Sequence, residues 1–306
     1  MVTVVLALLA ALSNASASVL QRRAATDEPE GGTGLRQAAR WLGHVLRRPH
    51  WVAGTTLLAL STVLQAAALG TGGLSLVQPL LAAELLFTLV VGSVVFHRRP
   101  DIRTWLAFAA LAAGLAMFLA AAAPASGRST ASMGRWLALA GVLPAVVAGL
   151  AVAARAVRGA PRAALLGLAS AVSFAATAAL LKEVTGSFQN GLGAVFTTWH
   201  PYATVAAGVV GFLLLQSAFR AGTLAASQPT LTVGDALTSV ALGWFLFGEQ
   251  IELGVRIAPE VVGVVLMGAG SIGLARAPSV AGGWDTASGA RDGPGTDPQR
   301  PVPQES

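Results

Sequence analysis

Nine stretches of this chain, each around twenty residues long, run almost free of charge: residues 2–20, 51–69, 74–96, 105–122, 136–153, 164–181, 194–215, 224–247 and 257–275. A helix rises about 1.5 Å per residue, so each can cross a hydrocarbon core roughly 30 Å thick. A soluble domain carries charge on about a quarter of its positions; here 11% of the 306 residues are charged and 54% are hydrophobic. That balance excludes a disordered chain, a nucleic-acid-binding module and almost any water-soluble enzyme. The reading is an all-α, polytopic integral membrane protein of about nine transmembrane helices. Its immediate partner is membrane lipid.

Two segments stand apart from the spans. Residues 21–50 form a charged, Gly-containing connector, with a short surface helix expected around 35–46. Residues 278–306 are rich in Gly, Pro, Asp and Ser, too poor in large apolar side chains to bury a core, and are expected to be disordered. The first span resembles a signal peptide, since small residues follow the apolar run 2–12. No positive residue precedes that run, however, while Arg22 and Arg23 follow it. That polarity suits a retained helix with an outward N-terminus. Trp51, Trp105 and Trp136 each stand where a span meets water, as interfacial anchors do.

Cytoplasmic loops carry the excess of Lys and Arg. With the N-terminus outside and nine crossings, 16 of the 20 basic residues fall inside and only Arg128, Arg135, Lys182 and Arg256 outside. The net charge of +6 and pI near 11.3 therefore reflect membrane topology, and no nucleic-acid partner is expected. The chain is placed in the plasma membrane with its C-terminus in the cytoplasm. With no cysteine, it has no disulfide, thiolate metal site or Cys nucleophile.

The chain also repeats itself. Leu64-Gln65-Ala66-Ala67, Leu74, Gln78-Pro79, Leu81, Gly92 and Phe96 recur as Leu215-Gln216-Ser217-Ala218, Leu224, Gln228-Pro229, Leu231, Gly243 and Phe247. The two Gln-Pro pairs are the only ones in the sequence. Residues 15–21 find a counterpart in 176–182, so spans one to four pair with six to nine. A displacement of five spans is odd, which makes the halves enter the membrane in opposite directions. Residues 1–156 form the first repeat of five spans and 157–277 the second of four. Inverted repeats underlie many secondary transporters, whose substrate site lies near midplane at the repeat interface.

With its Leu-Gln-x-Ala close, Gln-Pro-x-Leu opening and Phe247-Gly248-Glu249 ending, the chain resembles the drug/metabolite transporter (DMT, EamA-like) superfamily. The span count and the stretch from Gln216 to Pro229 are more similar to its NIPA-like branch. The resemblance covers roughly residues 2–275, against a usual superfamily count of ten spans. It implies transport, with Mg²⁺ as one candidate substrate.

Only two of fourteen acidic residues fall mid-span, Glu84 and Asp235, and an offset of 151 maps one onto the other. A charge at the bilayer centre is costly, so such residues are read as functional. Both are candidate ion-binding groups sharing one cavity. Pro79 and Pro229 precede them and would break their helices, freeing carbonyls of Ser75 and Ala225 to line the path; the plainer alternative is a bend near the interface. Gln78, Gln228, Gln65 and Gln216 would add neutral dipoles. Trp199-His200-Pro201-Tyr202 reads first as an interfacial belt with a kink, and second as a gate built on His200. Glu249, Glu252 and Glu260 with Arg256 read as a solvated turn ahead of a cation-attracting vestibule. No catalytic residues, enzyme signature or cofactor are found, and no metal ligand set is assigned.

The leading reading is a secondary transporter moving a small cation or metabolite by alternating access. The rival is a non-transporting membrane scaffold or assembly partner; a homodimer is compatible with either. An N-terminal reporter should register outside and a C-terminal one inside; finding both on one side would remove the nine-span topology.

Overall fold

In the computed structural model, the described residues are 1–26, 49–97, 99–122, 125, 127–188, 191–222, 224–250 and 257–276. The expected surface helix at 35–46, the tail 278–306, Glu252 and Arg256 lie outside them. Helices α1 (Val2–Thr26), α2 (Pro49–Thr71), α3 (Leu74–Leu81), α4 (Glu84–Val95), α5 (Ile102–Ala122) and α6 (Met133–Ala156) come first. They are followed by α7 (Ala160–Ser187), α8 (Leu192–Thr197), α9 (His200–Ala221), α10 (Leu224–Leu242), a π-helical turn (Gly243–Phe247) and α11 (Ile257–Ala275). Among the described residues there is no strand, and nine helical segments are long and apolar enough to cross a membrane. The chain is a multi-pass membrane protein.

All nine expected spans are present, and the departures concern their interruptions. The third span is divided into α3 and α4 by a tightened turn: Ala82 and Ala83 keep right-handed helical dihedrals, and their amides bond the Pro79 and Leu80 carbonyls three residues back. Pro79 sits inside α3, two residues before its end. Pro229 sits inside α10 but does not stop it, since that helix continues to Leu242. Neither proline ends its helix at its own position, against the expectation that both break their helices. The seventh span is shorter at its start than expected. The Trp199-His200-Pro201-Tyr202 group is a helix start, not a kink: Trp199 caps α9, and Pro201 occupies its first turn, where a missing N–H costs nothing.

Helix α7 is the most buried span and α6 among the least. Around α7 pack α9, α10 and α6, while α1 pairs with α2 and α4, and α11 lies along α5. With lipid as solvent, helices associate through close van der Waals contact, which small residues permit. The α5–α11 seam shows it plainly. A Cβ on Gly114 would strike the Gly263 carbonyl and the Met267 amide, and one on Gly270 would collide with the Leu111 backbone. Hydroxyls tie neighbouring helices where the side chains are short. Ser61 donates from α2 to the Ala10 carbonyl of α1 at 2.9 Å, and Ser170 from α7 to the Gly211 carbonyl of α9 at 2.8 Å.

Gly270→Ala should lower the unfolding midpoint in detergent, at about 1–3 kcal/mol, because overpacking a seam forces backbones apart. Gly141→Ala in α6, where the new methyl meets open space, should be neutral or stabilising by up to ~1 kcal/mol. Equal effects from both would mean that the seam is not closely packed.

Candidate functional site

A dense group of polar contacts gathers at the end of the bundle where Met1 lies. Thr3 of α1 bonds Thr71 of α2 there, and the chain then turns through Gly72 and Gly73 into α3. The first N–H groups of a helix lack intrahelical partners and carry partial positive charge. Here a carboxylate from 175 residues downstream supplies the partner. Glu249 Oε1 accepts from the Leu74 amide at 2.7 Å, and Oε2 accepts from the Ser75 amide at 2.8 Å and the Ser75 hydroxyl at 2.5 Å. The remaining charge is met by Lys182 near the end of α7, whose Nζ donates to Oε1 at 2.5 Å. Lys182 is 3% exposed and Glu249 1%.

The local chain is shaped to admit this carboxylate. Gly73 and Gly243 flank it so closely that a Cβ on either would meet Glu249. The π turn ends on Gly248 at φ +64°, a left-handed conformation that favours glycine, and the Glu249 amide bonds back to the Gly243 carbonyl. Phe247, wholly buried, lays its ring 4.5 Å from the lysine nitrogen. The neighbouring segment holds the same turn: Arg135 donates to the Leu246 carbonyl at 2.8 Å, the Arg128 amide to Phe247, and the Ala125 amide to Gln250.

Glu183, next to Lys182, is buried separately. Its Oε2 accepts from the Ala131 amide at 2.8 Å and from Trp136 Nε1 at 3.3 Å. Trp136, 5% exposed, stacks edge-on to Trp199 and His200. It is thus a buried packing residue, not the interfacial anchor expected. Nor is Glu249 in a solvated turn: three donors on α3 and a lysine take its carboxylate out of water. Glu260 lies in the first turn of α11, half-buried, with Oε1 buried and unbonded.

The mid-span residues lie deeper. Glu84 heads α4 just after the tightened turn, half-buried, with its carboxyl hydrogen-bonded by Asn14 of α1. Asp235 is half-buried in α10, with Oδ1 buried and unbonded. Ala83 and Ala236, each adjacent to one of the acids, belong to one buried apolar cluster. Gln78 is buried on α3 with an unbonded Nε2, and the Ser239 hydroxyl on α10 is likewise buried and unbonded. Gln228, Gln65 and Gln216 are half-buried on α10, α2 and α9. His200 starts α9 with an unbonded, buried Nδ1 beside Trp199, 4.2 Å between ring centres. Among the described residues, no group of three or more His, Asp or Glu side chains could hold a metal ion.

With this arrangement in view, the chain is 30% identical over 258 residues to the uncharacterized protein Cgl0250/cg0304 of Corynebacterium glutamicum, an alignment spanning 83% of this chain and 87% of that one. The chain belongs to the family of that protein. No family model matches it, and no solved structure does.

Sequence reasoning counted Lys182 and Glu249 as loop charges because each stands just beyond an apolar run. The signal that could have joined them was the chain's single lysine and the Phe247-Gly248-Glu249 ending. Removing one partner of a buried ion pair leaves an uncompensated charge, at a cost of about 3–5 kcal/mol. Lys182→Met should therefore lower the melting temperature in detergent sharply. Lys182→Met with Glu249→Gln should recover part of the loss, since the neutral amide oxygen still accepts from α3. A double variant worse than both singles would show that the pair is not the tie described.

Proposed function

We propose that the protein is a secondary transporter of the drug/metabolite type, carrying a small cation or metabolite by alternating access between two inverted halves. The observation that carries this reading is the tightened turn at Ala82 and Ala83, which sets Glu84 beside a change of helical winding in the middle of an apolar segment. A mid-helix stretch of such i→i+3 turns often marks a functional hinge. Asp235 is its counterpart on α10, and its buried oxygen, with Gln78 Nε2 and the Ser239 hydroxyl, makes a set of buried polar groups that a substrate would satisfy.

The repeat finds support in packing. Burial runs in the same order along residues 61–68 and 211–218, one residue out of the register of the Leu-Gln match. The Ser61–Ala10 and Ser170–Gly211 bonds join equivalent helix pairs, α1 with α2 and α7 with α9, with donor and acceptor exchanged. In an alternating-access cycle, the Lys182–Glu249 contact is the closure at the Met1 end, expected to face outside. As for substrate, the family resemblance suggests Mg²⁺, yet that ion demands octahedral oxygen coordination and keeps its waters. Two carboxyls and a few amides suit a proton or a small organic cation at least as well.

Glu84→Gln and Asp235→Asn keep shape and remove charge, so insertion and expression should persist. Either change should abolish or uncouple substrate-dependent uptake in reconstituted vesicles, tested against a panel of metal cations, organic cations and metabolites. The double variant should be little worse, because groups acting as one unit are non-additive. Normal uptake with unaltered pH dependence in both singles would overturn the mechanism. Flux falling only in proportion to protein level would favour a scaffold.

A further inference from the structure

Helices α4 and α5 follow one another in the chain yet barely touch, although their counterparts α10 and α11 are packed along their length. The gap is a cleft of about 390 Å³ floored by Leu8 of α1 and walled by apolar side chains, among them Leu86, Phe87, Phe108, Ala112 and Leu119. Val90 and Ala116, also on its walls, are exposed, so it opens sideways to the bilayer. From Phe108 to Leu119 it extends eleven residues along α5, about 16 Å at 1.5 Å per residue, comparable to one leaflet of the hydrocarbon core. Water has no polar partner there, and a second helix would not fit the volume.

At the end away from Met1, the cleft leads toward the α4–α5 connection. There Arg99 and Arg103 are exposed. The one acidic residue between them, Asp101, is a carboxylate held below its usual range by the Thr104 hydroxyl and amide, with Arg103 adding to the effect. Two arginines against one carboxylate leave the local charge positive. Trp105, half-exposed and edge-on to Phe108 at 5.4 Å, stands between the arginines and the cleft, at the level where a lipid glycerol region would lie.

We propose that the α1–α4–α5 cleft is a lipid site, holding one acyl chain of an anionic phospholipid whose headgroup pairs with Arg99 and Arg103. The chain replaces the helix–helix contact that α4 and α5 do not make. The site is independent of the transport reading and stands whether or not the protein carries a substrate.

The test uses the full-length protein reconstituted with a phosphatidylglycerol bearing a photoreactive diazirine on its acyl chain, followed by peptide mapping. Adducts should concentrate on the α4 and α5 peptides. Ala112→Trp with Ala116→Phe, which fills the cleft, should reduce them at least tenfold. Val146→Trp on the lipid-facing side of α6 should leave them unchanged, which also controls for a folding defect. Arg99→Gln with Arg103→Gln should lose the preference for phosphatidylglycerol over phosphatidylcholine while retaining cleft labelling. Adducts spread evenly over the outer faces of α6 and α9, or labelling untouched in the filled variant, would overturn the proposal. So would a headgroup preference that survives loss of both arginines.

Discussion

A lysine and a glutamate buried within hydrogen-bonding distance tie three parts of this chain that sequence separates widely: the end of α7, the turn after α10 and the start of α3. Their attraction is strong where water is excluded, but so is the cost of bringing two charges there. The cost is offset by what surrounds them. The α3 amides give the carboxylate a helix N-terminus to cap, Ser75 adds a hydroxyl, and Phe247 offers the ammonium a π face. Remove the glycines at 73 and 243 and the carboxylate has no room to enter. The π turn follows from the same requirement: it ends the long α10 span so that Gly248 can reverse the chain and aim Glu249 inward, and the Arg128–Arg135 segment fastens its last carbonyls.

How much of this the sequence disclosed depends on which force set each feature. The spans were legible because the bilayer fixes a length and forbids charge, and both are read directly from residues. Boundaries shifted by up to six residues, because a helix can run on past the apolar stretch that the bilayer fixes. The mid-span acids stood out against a background without charge, and they do lie within spans. The tightened turn at Ala82 and Ala83 was not legible. Pro79 and Pro229 pointed to broken helices, yet both lie inside theirs, and the change of winding comes three residues after Pro79, where no residue type announces it. Trp136 and Glu249 were misread because an interfacial address in the sequence says nothing of which way a side chain turns. Trp136 turns inward to Glu183, and Glu249 inward to Lys182. Glu249, which the sequence reading placed in a solvated turn, and Glu183 are instead buried acceptors around which that end is organised.

The seams between helices are closed by different means. The α5–α11 seam depends on glycines that let backbones meet, whereas α4 and α5 remain apart and leave their apolar walls to the bilayer. The α1–α2 and α7–α9 pairs are tied by hydroxyls, Ser61 of α2 on the Ala10 carbonyl and Ser170 of α7 on the Gly211 carbonyl. In lipid, close approach and not a particular side chain stabilises association.

The lysine at the centre of this arrangement is the only one in the sequence. In the folded state the protein is therefore nearly invisible to amine-directed chemistry, with the N-terminal amine its one other primary amine. Acylating reagents that mark most proteins all over their surfaces would find one terminal group here and no side chain. Any rearrangement that parts α7 from α3 would present a single new primary amine against a blank background, so the bond that closes this end also carries its own chemical reporter.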